Sequence, residues 1–265
     1  MQRGQKLLKW ASEFDFKSIK MTRTFYLFTL LFFINCSSIE DCVRGHGNEI
    51  SVEVEVPFFN KINVQSGVGL VLKQSDVQTV TIKSRTEVLK SISYEVIDET
   101  LFLRQNESCF WNQSYGETSI EISIPNLFQL QSTTEQNIRS EGILNFDNFS
   151  IIAFEEGKEA ASGNFYLNLN GQYFKIESNT VASFFLSGNV NTFNINYYSD
   201  DGRCDASQLN ANEINVFHRS TNDIIVRPQT ILKGNLYSTG NLIYKSEPEI
   251  LEVNSYFTGQ LIYQP

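Results

Sequence analysis

Few residues in this chain have chemistry to offer. His46 and His218 are its only histidines, and no convincing Ser-His-Asp order surrounds either. A triad hydrolase therefore lacks its base. The most suggestive set is acidic: Asp200, Asp201 and Asp205 beside Arg203, with Asp223 one repeat later. Asp residues clustered with Arg can cleave an acidic polysaccharide, and carboxylates brought side by side can hold Ca²⁺. Asp200-Asp201-Gly202 is also a plain turn sequence, which needs no ligand, and that reading is preferred. No catalytic residue, metal ligand or cofactor is assigned. There is no C-x-x-C or Cys/His cluster for zinc, and no Gly-rich phosphate loop or nucleotide fingerprint.

Contact chemistry is better represented. Gln105 to Gly116 lacks any apolar period and reads as a loop. It carries Phe110, Trp111 and Tyr115, aromatic side chains that stack on sugars or anchor a protein partner. Capping the end of a core is the plainer role for Trp111.

The front of the chain sets the compartment. Phe25 to Ile34 is a mostly apolar run of ten residues, preceded by Arg23. That length fits a signal-peptide core and is too short to span a bilayer. Cys36-Ser37-Ser38 follows at once. The arrangement resembles a bacterial lipoprotein signal, cleaved before a cysteine that then carries lipid, although Phe33 and Asn35 depart from the usual residues. Residues 1–20 mix Arg and Lys with Glu13 and Asp15 and read as an over-extended start. Residues 21–35 are then the signal peptide and 36–49 a polar tether. If Cys36 is lipidated, Cys42, Cys109 and Cys204 remain, enough for one bridge in any of three pairings or for single buried thiols.

The chain holds 21 basic and 30 acidic residues; after residue 35, fifteen basic residues face twenty-eight acidic ones, a net charge of −13. Nucleic acid and anionic lipid surfaces need clustered Lys and Arg, so this balance argues against both as partners. The acidity is spread along the chain and serves solubility.

The elements that position these residues are short strands. Ser51 to Val56 alternates apolar and polar, Pro57 stops it, and further short apolar pieces run to Ile124, with a helical turn near Glu87 to Ile92. From Leu127, and clearly after Phe165, a period emerges. Phe174-Lys175-Ile176, Phe193-Asn194-Ile195 and Ile214-Asn215-Val216 share one apolar-polar-apolar form and start nineteen and then twenty-one residues apart. Leu167, Leu186, Ala206 and Val226 form a second series at spacings of nineteen, twenty and twenty. Pieces this short cannot bury a face alone, but stacked as coils they share a core. The expected fold is an all-β parallel β-helix or solenoid with coils of roughly twenty residues, occupying 50–265. At least six coils are expected between Leu127 and Gln264, with Ile176, Ile195 and Val216 on one inward row. Asn164, Asn168, Asn170, Asn179, Asn189, Asn191, Asn194 and Asn196 fall at corners, where Asn tolerates left-handed backbone and stacks its amide.

Pro57-Phe58-Phe59-Asn60-Lys61-Ile62-Asn63-Val64, followed by Gly67-Val68-Gly69-Leu70-Val71-Leu72, resembles the opening of the auto-transporter adhesin head GIN domain family. Asp205 to Ala211 resembles its Ala-x-x-Leu-x-Ala element. Gly240-Asn241-Leu242-Ile243-Tyr244 with Glu247-Pro248, and then Gly259 to Ile262, resemble its close. The chain departs from the family at Ser199 to Gly202, Ser220 to Asp223 and Lys245-Ser246. The resemblance covers about residues 46–265. It implies a right-handed parallel solenoid on a surface lipoprotein of a Gram-negative bacterium, anchored in the outer membrane, and brings no catalytic residues.

The expected function is therefore a non-enzymatic cell-envelope lipoprotein, held to the membrane by lipid, that presents an extended adhesin-like surface to carbohydrate or to an envelope protein. A polysaccharide-active β-helix enzyme and a purely structural envelope protein are the alternatives.

Overall fold

The structure, a computed structural model, describes residues 47–106, 118–157 and 159–265. Strands make up 64% of the described residues, and they wind into a β-solenoid of about six turns. Among the described residues no helix is long and apolar enough to cross a membrane.

The chain does not enter the stack in spatial order. Its first strands are β1 (Glu49–Val54), β2 (Lys61–Val64), β3 (Gly69–Gln74), β4 (Thr79–Arg85), β5 (Ile92–Ile97), β6 (Thr100–Gln105) and β7 (Ser119–Ile124). A 3₁₀ turn at Val88–Ser91 occupies the expected helical turn. The parallel partners of β2 are β6 on one side and β8 (Gln129–Ser132) on the other. Likewise β3 lies between β7 and β9 (Ile138–Glu141). The coil formed by β6 and β7 thus stacks outside the one that precedes it in sequence. Beyond it the strands turn antiparallel: β4 on β7, β1 on β4 and β5 on β6. Antiparallel pairing ends the parallel ladder and closes that end of the stack, as solenoids require. Asp98 and Glu99, both at positive φ (48° and 58°), make the tight turn between β5 and β6, the backbone that twisted two-residue hairpins favour.

From there the coils follow in order through β10 (Leu144–Asn145), β11 (Asn148–Ala153), the small hairpin β12 (Glu155–Glu156) and β13 (Glu159–Ala160), β14 (Asn164–Ser178), β15 (Ser183–Tyr197), β16 (Arg203–His218), β17 (Ile224–Leu236), β18 (Leu242–Tyr244), β19 (Ile250–Ser255) and β20 (Leu261–Tyr263). The strands β14 to β17 are 13 to 16 residues long. Each contains two of the short apolar pieces, an arm A and an arm B, and the ladder passes the corner between them. Gly188 makes such a corner possible in β15: its φ is 113°, and a Cβ there would lie 2.0 Å from the Leu169 carbonyl oxygen.

Register explains the period. Ile176 pairs with Ile195 and Ile195 with Val216, as expected from the triplets. The row continues outward through Ile151, Leu130, Ile62 and Leu101. On arm A, Leu70, Ile138, Phe165, Phe184, Cys204, Ile224 and Leu242 form the equivalent row. All are buried. Phenylalanines stack along the axis inside the coils, Phe165 on Phe184 at 4.4 Å and Phe174 on Phe193 at 5.1 Å. Each such ring contributes about 1.5–3 kcal/mol through burial. The spacing is looser before Phe165 because the hairpin of β12 and β13 is inserted between coils.

The turn that closes each coil repeats a device. Ser132 Oγ accepts the Thr134 N–H, and Ser178 Oγ accepts the Thr180 N–H. In the coil of β16 the acceptor is His218 Nδ1, which takes the Ser220 N–H at 3.3 Å.

Candidate functional site

Three surface features compete for a functional role, and the acidic turn comes first. Asp200 has a φ of 67° and occupies the turn leading into β16. Asp201 accepts a 2.6 Å hydrogen bond from Thr221 Oγ1 on the next coil. Asp223 accepts both the backbone N–H of Asn241 and its side-chain amide, at 3.0 and 2.9 Å. Asp205 accepts the Ser207 N–H and pairs with Arg203 at 3.5 Å. The carboxylates of Asp201, Asp205 and Asp223 are thus each engaged with different neighbours, and those of Asp201 and Asp223 tie successive coils together. Among the described residues no three His, Cys, Asp or Glu side chains are grouped as metal ligands. Cys36, Cys42, Cys109, Phe110, Trp111, Tyr115 and His46 lie outside the described residues. The Cys204 thiol is free and buried, so pairings that involve it do not form. Burial pushes its pKa far up, and a thiol kept protonated is a poor nucleophile.

The second feature is a ladder of surface aromatic rings, three exposed and one, Phe217, half-buried. Tyr198, Phe217, Tyr237 and Tyr256 come from four successive coils, where arm B passes into the closing turn. Their centroids follow one another at 5.8, 5.2 and 4.7 Å, ending in the parallel pair Tyr237–Tyr256. Phe154 meets Tyr198 edge-on at the start. Tyr198, Tyr237 and Tyr256 are 39%, 41% and 60% exposed, so the ladder faces water. Parallel strands set this pitch, since neighbours in a sheet lie about 4.8 Å apart. Side-chain amides run beside the rings. Asn215 donates to Asn194 at 3.1 Å and Asn254 to Asn235 at 3.4 Å. Tyr198 Oη donates to Glu177 at 2.9 Å. Burial acts to raise the Glu177 pKa, but bonds from Lys175 and Tyr198 hold it below the usual value. Burial and the bond to Glu177 raise that of Tyr198.

A longer amide ladder marks the corner between the arms. Asn210 donates to Asn189 at 2.9 Å, Asn189 to Asn170 at 3.4 Å, Asn170 to Asn145 at 3.2 Å and Asn145 to Gln74 at 2.9 Å. Of the Asn expected at corners, Asn170 and Asn189 stack in this ladder, whereas Asn164, Asn168, Asn194 and Asn196 lie within the strand arms.

The third feature is concave. On the outer side of arm A, Tyr166 and Phe185 stack at 5.0 Å with their planes 9° apart. They line a shallow groove of about 450 Å³ whose rim includes Ser140, Asn168, Asp205 and Gln208. A hollow of about 270 Å³ lies on the other side of Tyr166, between Ser119, Asn137 and Arg139.

The sequence reading missed both aromatic sets. The ladder did leave a trace, because Tyr198, Phe217, Tyr237 and Tyr256 are spaced nineteen, twenty and nineteen apart.

A family model described as "Putative auto-transporter adhesin, head GIN domain" matches residues 58–248. Solved structures share the fold. One described as a putative adhesin from Bacteroides fragilis NCTC 9343 is 22% identical, with a TM-score of 0.70 over 82% of this chain and 97% of its own. A putative adhesin from Parabacteroides distasonis ATCC 8503 is 18% identical, with a TM-score of 0.61 over 82% and 98%. A putative lipid binding protein from the same organism is 17% identical, with a TM-score of 0.58 over 83% and 98%. At these identities the likeness is one of fold. No curated protein matches the chain.

Proposed function

The chain belongs to the auto-transporter adhesin head GIN domain family, and from that premise we propose that it is a non-catalytic binding module of the cell envelope whose ligand is carbohydrate. The observation that carries this reading is the ladder Tyr198–Phe217–Tyr237–Tyr256. Aromatic rings repeated at the strand spacing, tilted or stacked on one another, offer an apolar row with about one ring for each pyranose of a chain lying along the solenoid axis. The flanking Asn amides supply donors and acceptors together, which sugar hydroxyls need. Tyr and Phe give large contact area at little cost in rotamer entropy. The net negative charge speaks against nucleic acid and anionic lipid.

Catalysis is not part of the proposal. General acid–base work needs carboxylates convergent on one substrate bond, whereas Asp201 and Asp223 are tied into closing turns and Asp205 into strand β16, each by its own hydrogen bonds. Export and anchoring belong to the same proposal: residues 21–35 direct secretion, and Cys36 carries lipid. Cys36→Ser should change the mature mass and the partitioning into detergent; unchanged mass and partitioning would dismiss the anchor. Phe110, Trp111 and Tyr115 are proposed as additional contacts, checked by Trp111→Ala.

A glycan screen with wild type and Tyr237→Ala tests the binding face. Carbohydrate binding weakened about tenfold or more by the variant, with thermal stability unchanged, is the expected result. Binding to no glycan, or binding indifferent to Tyr198, Tyr237 and Tyr256 together, would refute it.

A further inference from the structure

We infer that the hollow at Arg139 and Tyr166 is a subsite for a carboxylated sugar, an inference that rests on the carbohydrate reading and names the ligand class at a second place on the same molecule. The hollow lies beside a glycine at which even a Cβ would press on the Thr118 carbonyl oxygen, 3.2 Å away. Gly69 pairs with Ser119 in β7, and its neighbour Leu70 pairs with Ile120 and Ile138. Leu70 is buried inside the coil, so position 69 faces outward with nothing to project. The space left between Ser119 and Asn137 is the hollow, about 270 Å³, and Val71, Arg139 and Tyr166 border it.

Arg139 and Tyr166 are direct neighbours in the parallel pair of β9 and β14. Phe185 covers one face of the Tyr166 ring, and the residue is 44% exposed, so the ring is open to contact on the side toward Arg139. The charges nearby single out Arg139. On the same outer face Lys73 is neutralised by Glu141 at 2.9 Å, and Lys83 by Glu121. Arg139 makes no ion pair among the described residues and is exposed. Arg219 and Arg227 likewise form no ion pair among the described residues, but Arg139 is the one that borders this hollow. A planar fork of donors beside an aromatic face is complementary to a pyranose that bears a carboxylate, with the ring on Tyr166 and the carboxylate on Arg139. The hydroxyl of Ser119 and the amide of Asn137 border the same space. Phe185, stacked on Tyr166, continues the apolar lining into the larger groove, so the neighbouring sugar of a chain also has an apolar contact.

The test uses the full-length protein, calorimetric titration and two probes: an oligogalacturonate and the same oligomer as its methyl ester. A poly-glutamate peptide is the third arm, since an acidic peptide also presents carboxylates. Wild type should bind the acid form more tightly than the ester. Arg139→Gln should weaken the acid form about tenfold or more and leave the ester unchanged. Arg139→Lys, which keeps the charge and loses the fork, should fall between. Tyr166→Ala should weaken both. Because Arg139 is exposed, neither of its variants should alter the unfolding midpoint. Equal binding of acid and ester, or an Arg139→Gln variant that binds the acid form like wild type, would overturn the subsite while leaving the ladder reading intact. Poly-glutamate bound as tightly as the oligogalacturonate, and lost with Arg139→Gln, would replace the sugar by an acidic peptide. Failure of every glycan, acid or neutral, would overturn both readings.

Discussion

Protonation of His218 should destabilise this solenoid at acid pH. The ring is fully buried at the end of β16, Nδ1 accepts the Ser220 N–H, and Nε2 has no hydrogen-bond partner. Gly240 lets the ring fit, since a Cβ there would lie 2.7 Å from Nε2. A second proton would have to displace the Ser220 bond and bury a charge. Burial accordingly lowers the pKa from 6.5 to about 4, although the nearby Asp223 and backbone groups act in the opposite direction. The unfolded chain therefore takes up the proton first as pH falls. This contribution to stability is fully present above pH 6.5 and is lost progressively between 6.5 and 4. At about 1.4 kcal/mol per pH unit, the loss approaches about 3 kcal/mol at and below pH 4. Carboxylates titrate in the same range, so the measurement is a difference. Denaturant unfolding of wild type and His218→Asn would be followed from pH 8 to pH 4. Asn keeps an acceptor for the Ser220 N–H, as Ser132 and Ser178 do in their coils, and does not titrate. The stability gap between the two proteins should change by about 3 kcal/mol across the window, in favour of the variant as pH falls. A gap that is flat with pH would refute the argument.

Ile195→Ala removes a fully buried side chain from the middle of the row Ile176–Ile195–Val216. It should cost about 2–5 kcal/mol in equilibrium unfolding; a cost below 1 kcal/mol would mean that the coils do not share the core described here. Cys204 lies at 0% exposure between Phe184 and Ile224, with burial raising its pKa. In the native protein it should resist a thiol reagent and react only on unfolding, and rapid native labelling assigned to Cys204 by mass spectrometry would contradict that placement.

How much of this was legible depends on how far apart the partners lie in sequence. The triplets at 174, 193 and 214 pair residue for residue because a coil here is about as long as its sequence period, and a constant period is visible in a bare sequence. Asn170 and Asn189 were readable for the same reason. The closed end was not, because Ile62 and Leu130 are neighbours across 68 residues and the coil stacked outside them comes later in the chain. Nothing local marks such an exchange of order. Arg139 and Tyr166 are paired across the inserted hairpin, which breaks the period at that point. The aromatic ladder obeys the period, yet it was obscured by the core phenylalanines, which repeat at nearly the same spacing; only the burial of one set and the exposure of the other separates them.

The central claim is an extended binding face and not a closed pocket, and the dependence of affinity on oligosaccharide length tests it most directly. Titrations with oligomers of one neutral glycan, from the monosaccharide upward, should show affinity rising with each sugar until the chain spans the rings Tyr198, Phe217, Tyr237 and Tyr256 and then levelling off, with Tyr237→Ala lowering the plateau. An affinity already complete at one or two sugars, and unmoved by Tyr237→Ala, would contradict it.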